Sequence, residues 1–139
     1  MEIKIHNRFD PDKLDEICAV YQSAGWLKHS KEVLTKVFQR SDIVSLAVCD
    51  GRVIGVGRAL TDGVFNAAIY DVVVHLKYQQ VGIGSLIISD LLEQLKDVSC
   101  VQLISTTGNE EFYRKHGMKK LKTGMARYLN SSLTDEYLE

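Results

Sequence analysis

Three consecutive valines followed closely by a glycine-rich helix start are the feature that most constrains this fold. The run Val72-Val73-Val74 lies in a predicted strand over residues 66–75, and so apolar a strand is typical of a sheet centre covered on both faces. A loop over residues 76–82 then leads into a helix predicted over residues 83–96, whose apolar residues recur at helical spacing. The segment therefore predicts helices packed on a sheet, an α/β class of fold.

The start of that helix carries two glycines, Gly82 and Gly84. The first backbone N–H groups of a helix have no partner within the helix, and the helix dipole favours negative charge there. Because neither glycine has a side chain to block a phosphate, the segment predicts an anion site suited to a pyrophosphate. It is neither a Walker A loop nor a Rossmann fingerprint, since no Gly-x-x-x-x-Gly-Lys-Ser/Thr occurs and no third glycine follows Gly84. Close packing explains two glycines equally well, so both interpretations stay open.

Strand and helix patterns alternate along the rest of the chain. Helix starts are marked by Asp10 before Pro11, by Ser30 and by Asn109, and Asp50-Gly51 is a two-residue turn signal between strands. The predicted strands are residues 1–6, 43–49, 52–60, 66–75 and 98–104, with a last hairpin over 118–121 and 125–129. The acidic end, residues 135–139, is expected to be frayed surface. This order predicts a mixed, mostly antiparallel sheet.

Composition limits the class of molecule. The 139 residues, 45% of them apolar, are enough for one compact domain over residues 1–139 and too few for two. The net charge of −1 argues against a nucleic-acid partner, which needs a clustered basic face. Cys18, Cys49 and Cys100 lie in separate apolar runs without metal-ligand spacing, so we expect neither a metal nor a disulfide. With no signal-peptide pattern and no membrane-length apolar run, we expect a cytoplasmic protein with no membrane partner.

Two segments resemble a known family. Gln79-Gln80-Val81-Gly82-Ile83-Gly84 resembles the Gln/Arg-x-x-Gly-x-Gly/Ala signature of GNAT acetyltransferases. Residues 109–118 are similar to the family segment Asn-x-x-Phe-Tyr-x-Lys-x-Gly-Phe, with Met118 in place of the usual aromatic. The element order also agrees over residues 1–129. The resemblance implies a six- to seven-stranded sheet flanked by about four helices, and an enzyme that transfers an acetyl group from acetyl-CoA to a primary amine of a small molecule, by direct attack in a ternary complex.

The resemblance also implies which residues bind acetyl-CoA. The backbone of residues 72–74 would pair with the pantetheine arm like an added strand, and the amides of residues 80–85 would take the pyrophosphate. Asn109 would either touch the pantetheine or cap its own helix. The implied cofactor-binding residues are Val72, Val73, Val74, Gln79, Gln80, Val81, Gly82, Ile83, Gly84, Ser85, Asn109 and Tyr113.

Catalysis needs a base for the amine, whose pKa of about 10 keeps it protonated, and an acid for the departing thiolate. Tyr113 matches the family tyrosine that protonates the thiolate, although Phe112 and Tyr113 also fit ordinary aromatic packing. Asp71 matches an acidic position in the sugar-amine branch of the family. It would be the base, directly or through water, or an anchor behind the site. Strand alternation places Tyr70 and Asp71 on opposite faces, so that only one would face the substrate.

Trp26 and Tyr70 are the candidate substrate-binding residues. Trp26 would line the acceptor site and offer a cation–π contact to the amine, but a lone tryptophan is also common in packing. Two further functions stay open: acetylation of a protein lysine or N-terminus, and a non-catalytic acyl-CoA-binding module. A homodimer through the last strands is a further expectation by analogy with the family.

Overall fold

A computed structural model describes residues 2–139 of the chain. These residues form two compact units, one ending at Thr106 and the other comprising Thr107–Glu139. Each unit is described by itself below. That the whole chain forms one domain stays a prediction.

The first unit is built on one five-stranded sheet. The strands lie in the order β1-β2-β3-β4-β5, and every pair is antiparallel except β4 and β5, which run parallel. This confirms the α/β class and the mixed, mostly antiparallel sheet. The strands are β1 (Ile3–His6), β2 (Ile43–Cys49), β3 (Arg52–Thr61), β4 (Asn66–Val74) and β5 (Cys100–Leu103).

The turn between β2 and β3 follows from local chemistry. Asp50 and Gly51 both have positive φ, at 51° and 75°. A two-residue turn with left-handed residues matches the twist of the paired strands, and aspartate followed by glycine adopts it readily. The hairpin predicted from Asp50-Gly51 is confirmed.

Three helices pack on this sheet: α1 (Leu14–Ser23), α2 (Lys31–Gln39) and α3 (Ile83–Gln94). Two of the predicted caps are confirmed, because the side chain of Asp10 accepts from the amide of Asp12, and that of Ser30 from the amide of Val33. Asp10 caps a short 3-10 helix, Pro11–Lys13, that leads directly into α1.

The packing faces of the sheet are set by alternation along β2 and β3. Val44, Leu46 and Val56 join the apolar core under α1 and α2. Gly55 and Gly57 face α3, where an added Cβ would lie 2.8 Å and 2.6 Å from methyl groups of Ile87. Glycine at these two positions therefore lets α3 approach β3 closely.

The second unit contains two short helices, α4 (Glu110–Arg114) and α5 (Ser131–Tyr137). The predicted frayed end was wrong in part, because α5 runs through residues 135–137 and is capped by the side chain of Asn130 on the amide of Ser132. This cap satisfies one of the amides of the first turn that have no partner within the helix.

The predicted hairpin over residues 118–121 and 125–129 was wrong: the structure assigns neither segment to a strand. Leu121, Met125 and Leu129 are 60%, 95% and 92% exposed, so the apolar residues that suggested strands bury little surface. A two-stranded hairpin without a buried face gains too little to form by itself. In residues 2–139 the sheet therefore has five strands instead of six to seven.

Across residues 2–139, we find no helix that is both long and apolar enough to cross a membrane.

Candidate active site

The start of α3 is open, as the anion-site interpretation requires. Gly82 holds the N-cap position with φ of +88°, and as a glycine it has no side chain that could cap the first turn. The first helical bond runs from the amide of Leu86 to the carbonyl of Gly82, over 3.2 Å. Residues 79–82 are all exposed. The loop is thus accessible to an anion at the end of the helix that carries the positive dipole.

Close packing does not explain Gly82. An added Cβ at this position would meet no atom within 4 Å, so the requirement for glycine is conformational. Gln80 also has positive φ, at 67°. Two left-handed residues turn the chain sharply between the end of β4 and the first turn of α3.

The loop before α3 is held to the strand that precedes it. The side-chain amide of Gln79 donates to the carbonyl of Val74 over 3.0 Å. The amide of Leu76 donates to Oγ of Ser23 on α1 over 3.1 Å, and the amide of Tyr78 to the carbonyl of His75 over 2.8 Å. Gln79 therefore fixes the loop to the end of β4 through its side chain.

A β-bulge interrupts β4 next to the predicted pantetheine segment. Val73 pairs with Val56 and Tyr70 pairs with Arg58, so Asp71 and the next residue lie opposite a single residue of β3. Asp71 has φ of +55°, in the left-handed region that few residues other than glycine adopt.

The bulge overturns the expectation that Tyr70 and Asp71 lie on opposite faces. Both contact Arg58: its Nε donates to Oδ2 of Asp71 over 2.8 Å, and its guanidinium lies 5.1 Å from the centre of the Tyr70 ring. Strand alternation fails here because Asp71 is left-handed.

Asp71 is the centre of a largely buried polar cluster. Its Oδ2 accepts from Arg58 and from the hydroxyl of Tyr21 on α1, at 3.1 Å. The side chains of Arg58 and Asp71 are only 15% and 13% exposed. Burial, followed by the negative charge of Asp71, raises the pKa of Tyr21 well above its usual range, so its hydroxyl stays protonated and donates.

The strand ladder between β4 and β5 ends just before the bulge. Its last pair is Ile69 with Leu103, whereas β4 itself continues to Val74. The predicted pantetheine segment, residues 72–74, therefore lies on the part of β4 beyond the ladder with β5. Within it Val73 is buried, and Val72 and Val74 are half-buried.

Of the two predicted substrate-binding residues, one packs and one is exposed. Trp26 follows α1 and packs edge-on against Tyr21, with ring centres 5.6 Å apart, and against His29 at 5.4 Å. His29 in turn stacks on Tyr21 at 5.0 Å. Tyr70 is 41% exposed on the same sheet face as Arg58.

The remaining predicted site residues lie in the second unit. Tyr113 is in α4, half-buried and 5.0 Å from the ring of Phe112, and burial raises its pKa. Gly117, with φ of +85°, ends this segment as predicted: its amide donates to the carbonyl of Arg114, and the next amide donates to the carbonyl of Tyr113. Asn109 holds the N-cap position of α4, and its side chain makes no cap hydrogen bond.

Among residues 2–139, no group of three or more His, Cys, Asp or Glu side chains is arranged to hold a metal ion.

A family model described as the acetyltransferase (GNAT) family matches residues 9–118. This range covers more than half of the chain. The chain belongs to the GNAT acetyltransferase family.

Several relatives share this GNAT sequence over most of its length. An uncharacterised N-acetyltransferase ycf52 of Pyropia yezoensis is 33% identical over 119 residues, which is 81% of this chain and 67% of that protein. Serotonin N-acetyltransferase 2 of Oryza sativa is 33% identical over 70% of this chain and 52% of its own. A histone acetyltransferase of Glycine max is 31% identical over 75% of this chain and 51% of its own.

Solved GNAT structures share the fold. A probable acetyltransferase of unknown function from Staphylococcus aureus has a TM-score of 0.80 and 25% identity, covering 93% of this chain and 99% of that one. The PaiA N-acetyltransferase of Thermoplasma acidophilum, solved in complex with coenzyme A, has a TM-score of 0.72 and 19% identity, with coverage of 89% and 94%.

Sequence reasoning missed two members of the polar cluster in this GNAT protein, Arg58 and Tyr21. A signal for Arg58 was present, because it is the one charged residue between Val53 and Leu60 in an otherwise apolar strand. A charge in such a strand needs a partner. Tyr21 carried no comparable signal, because a tyrosine at helical spacing fits ordinary packing.

Proposed function

We propose that this GNAT protein transfers an acetyl group from acetyl-CoA to a primary amine of a small molecule. The amine attacks the thioester directly while both substrates are bound. The observation that carries the proposal is the junction of β4 and α3, where a strand segment beyond the β5 ladder leads into a helix start whose N-cap residue is a glycine. Family membership supports the same reaction class.

The residues around this junction suit coenzyme A. The exposed loop before α3, the absence of a side-chain cap and the open space at Gly82 leave room for a pyrophosphate against the amides of residues 80–85. The backbone of residues 72–74 lies beyond the β4–β5 ladder and would hold the pantetheine arm. When bound, acetyl-CoA supplies the activated acyl group.

Tyr113 is the proposed general acid. During transfer, the carbon–sulfur bond breaks and the leaving thiolate needs a proton. Because burial raises the pKa of Tyr113, its hydroxyl remains protonated at neutral pH and can donate. Asn109, four residues earlier, is the proposed contact with the pantetheine, because it matches the first position of the family segment at residues 109–118.

Asp71 has two candidate roles, as the general base or as an anchor behind the site. As a base it would accept the proton of the attacking amine. Its carboxylate already accepts hydrogen bonds from Arg58 and from Tyr21, so the oxygen Oδ2 is engaged by two side chains of the protein itself. These contacts support the role of Asp71 as an anchor behind the site, in which case the amine gives its proton to water.

Two relatives and one exposed side chain bear on the choice of acceptor. The rice relative named for serotonin favours a small amine, and exposed Tyr70 offers an aromatic surface for it. The soybean relative named for histones favours a protein lysine as the second candidate.

Thiol release measured against a panel of amines and lysine peptides tests the proposal. We expect turnover with a small amine, and Tyr113→Phe should lower kcat by about 100-fold because a general acid is lost. Phe112→Leu, a change to the neighbouring aromatic, is the control for packing and should lower kcat much less. Turnover with peptides alone would favour the second candidate, and acetyl-CoA binding without any turnover would support a binding module instead.

A further inference from the structure

We propose that Arg58 is a positioning residue for acetyl-CoA: through Asp71 and Tyr70 it holds the bulge that keeps residues 72–74 of β4 clear of β5. The proposal rests on the proposed function, since it assumes that this segment binds the pantetheine arm. Arg58 itself is not proposed to touch either substrate.

The place of the bulge supports this role. The last β4–β5 pair is Ile69 with Leu103, and the bulge begins two residues later at Asp71. A bulge bends its strand and increases the local twist. The bend therefore falls where β4 leaves its ladder with β5 and continues to Val74 paired with β3 only.

The bulge needs support from its surroundings. A residue other than glycine with φ of +55° is uncommon, and such a conformation persists only where neighbouring groups determine it. Arg58 contacts both residues of the bend, Asp71 through Nε at 2.8 Å and Tyr70 through the guanidinium face at 5.1 Å. A straight strand would turn one of these side chains to the other face of the sheet and break that contact.

Two further groups hold Arg58 and Asp71 in place. The hydroxyl of Tyr21 donates to the same carboxylate oxygen as Arg58 does, at 3.1 Å. A terminal nitrogen of Arg58 lies 3.4 Å from Oγ of Ser41, which itself donates to the carbonyl of Val37 at the end of α2. The bulge is thereby tied to both helices that cover this face.

Calorimetric titration with coenzyme A tests the role of Arg58. Arg58→Met keeps the aliphatic stem and removes the guanidinium, whereas Asp71→Asn keeps a residue that tolerates positive φ and removes the charge. Each variant should raise the Kd for coenzyme A by about tenfold. Two independent effects of this size would multiply to about 100-fold, but both changes release the same bulge, so the double variant should raise the Kd by much less. The kcat at saturating acetyl-CoA should fall less than the affinity does, with its pH profile unmoved.

The control is a matched ion pair outside the cluster. Asp15 pairs with Lys31 at the surface, with side chains 81% and 59% exposed, and Asp15→Asn should leave the Kd unchanged. If Arg58→Met does not fold, the positioning role is tested with Asp71→Asn and Tyr21→Phe instead. Tyr21→Phe removes only one hydroxyl from the cluster. We expect it to raise the Kd by about threefold.

The outcomes separate this proposal from the proposed function. Folded variants that bind coenzyme A as tightly as the wild type would overturn the positioning role. A loss of about 100-fold in kcat for Asp71→Asn, with its pH profile shifted and the Kd unchanged, would make Asp71 the base and overturn it as well. A wild-type protein that binds no coenzyme A would instead refute the proposed function.

Discussion

At the scale of single residues, three left-handed positions shape the candidate site. Asp71 turns its own side chain toward Arg58, to the side where Tyr70 already lies, and Gln80 and Gly82 turn the chain into α3. Only Gly82 adopts this conformation at no steric cost. An added Cβ at Gly82 would meet no atom within 4 Å, so glycine is required there for its backbone conformation. At Gly55 and Gly57, in contrast, glycine is required because α3 packs closely.

Gly82→Ala should weaken coenzyme A binding by about fivefold and lower the free energy of unfolding by about 1 kcal/mol. The methyl group meets no neighbour, so the loss comes from strain at φ of +88° and from the shift of the loop amides that relieves it. Calorimetry and urea unfolding measure the two effects.

Gly63→Ala is the matched control for this prediction. Gly63 has φ of +80°, also with no atom within 4 Å of an added Cβ, but lies in the turn between β3 and β4. It should cost similar stability and leave the Kd for coenzyme A unchanged. Equal weakening of binding by both variants would show that the loop amides are not the binding groups.

At the scale of elements, the close contact between β3 and α3 positions the helix start. An alanine at position 55 would place its Cβ 2.8 Å from Cδ1 of Ile87, a fully buried side chain. We expect Gly55→Ala to lower the free energy of unfolding by about 1–3 kcal/mol through overpacking, measured by urea unfolding.

Ile87→Val tests whether contact with Ile87 causes this loss, because it deletes the Cδ1 methyl that the new Cβ of Gly55→Ala would meet. In combination with Gly55→Ala it should cost less than the sum of the two single changes. It should not relieve Gly57→Ala to the same degree, because that Cβ meets Cγ2 of Ile87 and Cδ1 of Leu91 instead. Strictly additive losses for the Gly55 pair would contradict the packing contact.

Elements marked by local chemistry were predictable from the sequence. The Asp50-Gly51 turn and the caps at Asp10 and Ser30 depend on neighbouring residues alone, and each was confirmed. The bulge at Asp71 was not predictable in this way, because Arg58 lies thirteen residues earlier and Tyr21 fifty residues earlier. Its conformation depends on tertiary contacts that alternation along a strand cannot reveal.

The prediction of the last hairpin was wrong because local composition does not show whether a strand has a partner. Residues 118–121 and 125–129 have a strand-like composition, but strands form only when a partner and a buried face are available. The motif residues themselves were located by resemblance: Tyr113 and Gly82 lie on the elements expected for them.

At the scale of the whole molecule, the chain is a GNAT protein whose family match spans residues 9–118. The first unit carries the β4 segment beyond the β5 ladder, the glycine-capped start of α3 and the cluster around Asp71. The second carries Tyr113.

A titration of the isotope-labelled protein with coenzyme A, followed by the NMR shifts of its backbone amides, tests the central claim most directly. Saturable binding should produce the largest shifts at residues 80–85, with smaller ones at residues 72–74. Pantetheine, which lacks the pyrophosphate, should move the second group and leave the first nearly unchanged. Shifts that do not saturate, or that saturate elsewhere while residues 80–85 stay unmoved, would contradict the claim that the start of α3 binds the pyrophosphate.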